Sequence, residues 1–311
     1  MRLLLLNAIA WFAVVQNGQA AQGFTIDRID EGVARVMETG EPVFEFQIDP
    51  VSQGGKHARA NYLHPVYDPD GVLVTEDFPK DHPHHRGIFW AWHQVMVNGK
   101  QVSDPWVCKD IKWDKPIAHG VGPSSDNASF SIVRDWLVPD PEKTDKDLRV
   151  MREMVGIEVW GKPDGIRRID IAIGLRALVE GVTLGGSDDV KGYGGFSPRI
   201  RLSEDVDFVG QVGAVKPAKT AVEGGAWMNV TRTLEGKRRS VTILVHPSHP
   251  GFPVKWILRA KRSMQNPQWP GRKPVSISTK SDTLLRYRIL LHNDLLKPVL
   301  IEDEWKHFAD R

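Results

Sequence analysis

The chain has 311 residues, a formal net charge of +2 and a single cysteine, Cys108. Its Lys and Arg are dispersed among Asp and Glu, which argues against a nucleic-acid-binding stripe and against a charged interaction tail. One cysteine excludes an internal disulfide, and the length is sufficient for a large hydrophobic core without one.

The first predicted element is a secretory signal peptide at residues 1–20. A positive start, Met1-Arg2, is followed by an apolar run over residues 3–15 and by the small residues Gly18 and Ala20. This is the charge, hydropathy and cleavage pattern of an export signal, and the run is too short to span a bilayer as a mature helix. We expect cleavage after Ala20, a periplasmic or secreted protein without a mature membrane span, and one domain over residues 21–311. The alternative is an uncleaved N-terminal anchor.

Period-two patterns dominate the rest of the chain. From Ile169 to Leu175 every second residue is aliphatic, as in a strand with one buried face. A helical stripe is predicted only near the C-terminus, from Val299 to Phe308. Because strands do not alternate with long helices, we predict an all-β fold, a large antiparallel β-sandwich with a short C-terminal helix. The other predicted strands cover residues 43–48, 130–137, 150–160, 199–202, 228–234, 241–245 and 284–292. The predicted turns are Asp68-Pro69-Asp70-Gly71, Asn98-Gly99, Pro163-Asp164-Gly165 and Glu235-Gly236.

Residues 76–87 form the segment richest in groups that can carry chemistry. Three histidines, three acids and an arginine lie just before the apolar run at residues 88–92. Groups that titrate near neutral pH are seldom concentrated without a use. In an extended conformation, His82 and His84 would project to one side and His85 to the other. The alternative is a polar, hydrogen-bonded loop that leads into a buried strand.

A divalent metal is a further candidate for this segment. His82 and His84, two positions apart, can share a face and act as ligands with a distant third group. The sequence has no HExxH motif and no cysteine pair. No other cofactor is implied.

Other histidines and one glycine-rich stretch add candidate substrate-binding residues. His64, His246 and His292 are each followed by Pro or a turn former, so each is expected at a strand end, where sites are commonly built. The stretch at residues 191–196 lacks a phosphate-loop ending and is typical of a tight turn that brings backbone and Tyr193 near a ligand. Arg199 follows on a predicted strand and is expected to face a cleft.

Five motifs together resemble the family labelled PmoA in bacterial genomes. The resemblance runs from Asn61 to Asp294, and the run from Asp81 to Gly87 is its most specific part. The label is shared with a methane oxygenase subunit. The family's pattern is similar, by analogy, to galactose-mutarotase-like supersandwiches, in which histidines and a carboxylate act on sugars. Val245 departs from this pattern, because an acid often stands there. The motifs are Tyr62-Leu63-His64-Pro65, Thr75-Glu76-Asp77, Asp81-His82-Pro83-His84-His85-Arg86-Gly87, Gly192-Tyr193-Gly194-Gly195 and His246-Pro247-Ser248.

The resemblance implies a secreted carbohydrate-active enzyme, an epimerase, lyase or hydrolase, with a carbohydrate as its partner. A histidine would move the proton, with Glu76 or Asp77 as its counterpart, and Arg86 would hold a substrate oxygen. Two alternatives stay open: a non-catalytic carbohydrate-binding protein, and a metal-dependent oxygenase-related protein. The predicted catalytic residues are His84, His85, Arg86, Glu76 and Asp77. The predicted substrate-binding residues are His64, His82, Tyr193, Arg199, His246 and His292.

Overall fold

A computed structural model of the chain describes residues 23–143, 146–261, 263–293 and 296–311. The predicted signal peptide at residues 1–20 and its cleavage point lie outside these ranges. Across the described part of the chain, no helix is both long enough and apolar enough to span a membrane.

Antiparallel strands make up most of the described chain, joined by short turns. Two 3-10 turns at Ile29–Glu31 and Pro105–Val107 and a C-terminal helix, α1 (Pro298–Ala309), complete the elements. The strands are β1 Phe24–Asp27, β2 Val33–Glu38, β3 Glu41–Gln47, β4 Val51–Gln53, β5 Lys56–Arg59, β6 Tyr62–Val66, β7 Ile88–Trp92, β8 Gln94–Val97, β9 Lys100–Ser103, β10 Lys112–Trp113, β11 Ala118–Pro123, β12 Asn127–Pro139, β13 Asp147–Trp160, β14 Ile166–Ala177, β15 Val182–Gly185, β16 Gly194–Pro198, β17 Asp207–Gly210, β18 Gly213–Ala214, β19 Trp227–Leu234, β20 Lys237–Val245, β21 Lys255–Ile257, β22 Asn266–Gln268, β23 Val275–Ser276 and β24 Thr283–His292.

Two large sheets form the body of the fold. One has six strands in the order β1-β2-β3-β6-β7-β16. The other has ten, in the order β10-β12-β13-β14-β24-β20-β19-β17-β18, with β11 also paired to β12. A four-stranded sheet, β23-β15-β8-β9, and two hairpins, β21-β22 and β4-β5, flank them. The predicted all-β antiparallel class with a C-terminal helix is confirmed.

Aromatic side chains join the two large sheets face to face. The ring centroids of Phe46 on β3 and Phe130 on β12 are 5.4 Å apart, and those of Phe196 on β16 and Tyr287 on β24 are 4.2 Å apart. The predicted alternation along β14 is confirmed, because its aliphatic residues from 169 to 175 are buried. Each such side chain stabilises the fold by roughly 1.5–3 kcal/mol. The shared core makes the arrangement a sandwich.

The C-terminal helix covers the outer face of the larger sheet. Its predicted stripe is confirmed, since Ile301 and Phe308 are buried. Trp305 donates a hydrogen bond from its indole to the carbonyl of Val245 at 2.9 Å. The guanidinium of Arg168 on β14 lies 2.6 Å from the carboxylate of Glu304.

Turn chemistry explains two of the hairpins. Asn98-Gly99 joins β8 to β9, and Glu235-Gly236 joins β19 to β20, with positive φ at all four residues. Two consecutive residues in this region form the turn whose twist matches antiparallel strands. Both turns agree with the sequence prediction.

One predicted strand is wrong. Residues 199–202 do not form a strand, and only Ile200 makes an isolated bridge, to Thr75. β16 ends at Pro198, and the backbone N–H of Arg199 then donates to the carbonyl of Gly87 at 2.7 Å. The chain therefore leaves the β7 ladder and crosses the histidine segment, which brings Arg199 to that segment.

Candidate active site

Residues 82–85 form a tight turn, so the prediction of an extended segment is wrong. The N–H of His85 donates to the carbonyl of His82 at 2.8 Å, with Pro83 and His84 in the central positions. Proline favours this geometry because its φ is already near the value that the second turn residue needs. Side chains expected on opposite faces therefore converge.

A glycine fixes the point where this turn enters β7. Gly87 has φ +52°, and a Cβ there would lie 2.1 Å from the carbonyl oxygen of Leu63. Any side chain would strain the backbone and clash with β6. The turn is consequently held close against β6.

Five histidine side chains gather around this turn, and we call them the histidine cluster: His57, His82, His84, His85 and His93. The rings of His82 and His85 stack at 4.7 Å with an interplanar angle of 4°. The ring of His84 meets His85 edge-on at 4.6 Å and lies 6.4 Å from that of His57. β5 supplies His57, and His93 directly follows β7. The cluster therefore unites three separate stretches of chain.

Burial and neighbouring positive charge keep two of these rings neutral. Burial, followed by the charge of Arg59 and the nearby histidines, lowers the pKa of His84 to about 4. Burial and the same kind of neighbours lower the pKa of His85 to about 2. Desolvation always disfavours the charged imidazolium. Near pH 7 both rings are uncharged and have a nitrogen able to accept a proton.

His84 and His85 differ in their hydrogen-bond partners. Among the described residues, neither ring nitrogen of His84 has a hydrogen-bond partner, and its side chain is half-buried. His85 is buried, and its Nδ1 lies 3.4 Å from a guanidinium nitrogen of Arg199. A guanidinium only donates, so this Nδ1 accepts and the ring proton is on Nε2. His84 is the member of this pair that can meet a substrate.

Carboxylates orient two other members of the cluster. Nδ1 of His93 lies 3.0 Å from Oδ2 of Asp104, and Nδ1 of His82 lies 2.9 Å from Oδ2 of Asp81. A carboxylate can only accept, so each Nδ1 carries a proton and donates it to the carboxylate. Although burial raises the pKa of Asp81, hydrogen bonds from His82 and Arg199 lower it to about 2.

Two buried arginines, Arg199 and Arg59, hold the segments that carry the cluster in place. Arg199 binds Glu76 at 2.7 Å and Asp81 at 3.0 Å. Arg59 donates to the carbonyls of Pro105 at 2.9 Å and Trp106 at 3.0 Å. These bonds fix the turn and the Trp106 ring, which lies 5.8 Å from His85 and 5.2 Å from His93.

Arg86, predicted to hold a substrate oxygen, lies with Asp77 in a closed hydrogen-bonded network. The guanidinium is buried and ion-paired with Asp77, and it donates to the hydroxyl of Tyr62. It also donates to the carbonyls of Val51 and His57, both at 2.9 Å. Because these partners occupy its N–H donors, Arg86 positions the backbone of His57. The carboxylate of Glu76, the other predicted counterpart in proton transfer, is ion-paired with Arg199 at 2.7 Å.

The other three predicted histidines, His64, His246 and His292, have partners outside the histidine cluster. Nδ1 of His64 pairs with the hydroxyl of Thr75 at 2.9 Å. The ring of His246 packs edge-on against Phe308 of α1 at 5.1 Å. His292 is buried on β24, with Nε2 3.2 Å from the hydroxyl of Thr242. His64 nevertheless lies beside the end of the turn, since a Cβ at Gly87 would be 2.8 Å from the Cβ of His64.

A cavity of about 690 Å³ adjoins the cluster through two aromatic side chains. Tyr193 lines the cavity, and its ring centroid lies 5.6 Å from that of Trp106. Trp106 in turn contacts the histidine cluster, so the two rings connect the cavity to it. Of the predicted substrate-binding residues, Tyr193 is the one that the structure places in this cavity wall.

The metal hypothesis rests on His82 and His84, whose ring centroids are 5.8 Å apart. Within the described ranges, no group of three or more His, Cys, Asp or Glu side chains has an arrangement that would hold a metal ion. A metal at His82 and His84 therefore stays a prediction.

Sequence reasoning missed His57, His93 and Arg59 as parts of this site. His57 follows Gly54-Gly55 in a hairpin and has φ +53°, an uncommon conformation for a residue with a side chain. His93 comes one residue after the apolar run of β7. Only the sheet pairing places these residues beside His84.

Comparisons with known proteins give a family and a similar structure. A family model described as "Family of unknown function (DUF6807)" matches residues 34–306. This match does not confirm the PmoA-type resemblance. A comparison with curated proteins finds no match. The chain is similar to the crystal structure of a "putative mutarotase (YeaD)" from Salmonella typhimurium, with a TM-score of 0.43 and 9% identity, over 89% of this chain and 96% of that one.

Proposed function

The chain belongs to the family of unknown function DUF6807, and we propose that its histidine cluster is the active site of a carbohydrate-active enzyme working by general acid–base catalysis. One observation carries this proposal. His84 is neutral near pH 7, since its pKa is lowered to about 4, and among the described residues its ring nitrogens have no protein partner. A neutral imidazole without a protein partner presents a free nitrogen lone pair to a substrate proton.

The second proton-transfer group in this proposal is His93. Asp104, 3.0 Å from its Nδ1, holds one tautomer and would stabilise the imidazolium that forms when Nε2 takes up a proton. Two imidazoles in different surroundings, one desolvated and one beside a carboxylate, suit the separate roles of base and acid. His84 would take a proton from the sugar, and protonated His93 would return one to the departing or reprotonated atom. Epimerisation and elimination use this pair of steps, and in hydrolysis the proton that His84 takes would come from the attacking water.

The cavity supports a saccharide as the substrate class. Its volume of about 690 Å³ lies in the usual range for small-molecule sites. Tyr193 offers an apolar ring with a polar tip, a combination that suits sugar C–H patches and hydroxyls. The signal-like pattern at residues 1–20 supports a periplasmic or secreted location for such an enzyme.

The test is turnover of a glycan library by the wild type, by His84→Ala and by a control, His119→Ala. His119 is exposed on β11, away from the cluster. We expect His84→Ala to lower kcat about 10²–10⁴-fold, with a melting temperature within a few degrees of the wild-type value, and the control to keep full activity. Glycan binding without turnover by any of the three proteins would replace the enzyme with a binding protein. Turnover that appears only with an added divalent metal would favour the metal-dependent alternative.

A further inference from the structure

The stretch of chain that forms part of the cavity wall is strongly basic. Between Gly236 and Ser281 the sequence contains many Lys and Arg residues and no Asp or Glu. The cavity itself is lined by three cationic side chains, Lys191, Lys219 and Arg259, together with Tyr193, Pro217, Ala218, Leu258 and Ala260. A cavity lined this way presents positive charge beside a small apolar surface.

Arg259 gives the cavity a fixed charge that its contacts leave uncancelled. Its guanidinium donates to the hydroxyl of Tyr193 at 2.6 Å and to the carbonyls of Ala218 and Leu258 at 2.7 and 2.8 Å. All of these acceptors are neutral oxygens. Among the described residues no carboxylate forms an ion pair with Arg259, so its positive charge acts on whatever enters the cavity.

The two lysines add to this charge. Lys219 is exposed and, within the part of the chain that the structure describes, has no carboxylate partner. Nζ of Lys191 lies 3.7 Å from Asp189, with both side chains a little under half exposed. Three cations and one acid leave the cavity positive, and an exposed ion pair of this kind is weak enough to exchange for a ligand.

We propose that the cavity binds an anionic saccharide, whose carboxylate or sulfate meets Lys191 and Lys219 while its ring lies against Tyr193. This rests on the proposed function, because the same ring is held within reach of Trp106 and the histidine cluster. A neutral sugar would leave the three cations without a counter-charge, whereas an anionic one exchanges water for charge-assisted hydrogen bonds. Arg259 contributes charge and fixes the Tyr193 ring.

The experiment compares three tetrasaccharides of similar size, an oligouronate, a sulfated galactan fragment and a neutral galactan fragment, by calorimetry at low salt. We expect one of the two anionic probes to bind at least tenfold more tightly than the neutral one, and the better of them identifies the anionic group. Affinity for it should fall as salt rises. Equal affinity for all three probes would overturn the proposal.

Lysine variants test whether the anion binds in this cavity. Together with His84→Ala, they distinguish failure of this inference from failure of the proposed function. Lys219→Gln should weaken anionic binding about three- to fivefold and Lys191→Gln/Lys219→Gln about tenfold or more, whereas the exposed control Lys280→Gln should bind like the wild type. Equal loss in the control would overturn the site. Turnover of neutral sugars without anionic preference overturns this inference alone. Unchanged turnover in His84→Ala, with anionic binding lost in the double variant, overturns the proposed active site alone.

Discussion

Two groups of histidines, His84 with His85 in the cluster and His246 with His249 near α1, have lowered pKa values and different surroundings. Burial lowers the pKa of His84 in the cluster, and of His246 and His249 near α1, to about 4 in each case. His249, however, is bonded on both nitrogens, to the carbonyl of Pro250 at 2.8 Å and to the hydroxyl of Tyr287 at 2.7 Å. A depressed pKa therefore reports burial, and only an unpaired nitrogen distinguishes a ring available for chemistry.

The largest expected effect is a loss of stability in acid that both groups share. An unfolded histidine has a pKa near 6.5, and the folded values are lower, so the unfolded chain binds more protons. The stability that the neutral histidines contribute is fully present above pH 6.5 and is lost as the pH falls toward 4. Over this range the free energy of unfolding falls by about 1.4 kcal/mol per pH unit for each buried histidine and by less for half-buried His84. Urea unfolding at several pH values measures this slope. His249→Gln should reduce this slope by the amount that corresponds to one bound proton. An unchanged slope would contradict the lowered pKa of His249.

Removing His249 should destabilise the protein more than removing His84. His249→Ala leaves a void and strands the buried hydroxyl of Tyr287, so we expect a loss of about 2–4 kcal/mol in the free energy of unfolding. His84→Ala, which breaks no hydrogen bond among the described residues, should cost about 1 kcal/mol or less. Chemical denaturation of both variants checks this difference. If the two costs were equal, the contrast between a bonded and an unpaired ring would fail.

The smallest expected effect tests the carboxylate behind His93. Asp104→Asn should lower kcat about 10- to 100-fold, because an amide can hold the wrong tautomer of the imidazole. A structural role for Asp104 alone would change the melting temperature and leave the pH dependence of kcat as it is. A role in proton transfer predicts that the pH dependence of kcat changes as well. The matched control is Asp303→Asn, on the exposed face of α1, which should behave as the wild type.

Sequence patterns predicted the fold well because they are local. The alternation along β14, the Asn98-Gly99 turn and the stripe of α1 each depend on residues a few positions apart. The 199–202 strand failed because Arg199 is drawn from the ladder by carboxylates of another segment. That pairing has no local signature.

The sequence predicted the histidine turn of the candidate site, but not the residues around it. The density of histidines at residues 82–85 identified the turn, but not that Pro83 would fold it back on itself. The charges beside it were misleading: Arg86 and Asp77 satisfy each other inside the protein, while His57 and His93 reach the cluster through strand pairing. Long-range geometry decides which polar residues face a ligand.

The bond between Arg199 and Glu76 joins residues 123 positions apart, and this separation bears on when the site can exist. Contacts between distant residues form late, since the intervening chain must first be ordered. All five histidines precede Arg199 in the sequence. A nascent chain that has emerged only as far as β15 therefore carries every imidazole of the cluster without the arginine that holds their turn, and the site matures only after β16 is made.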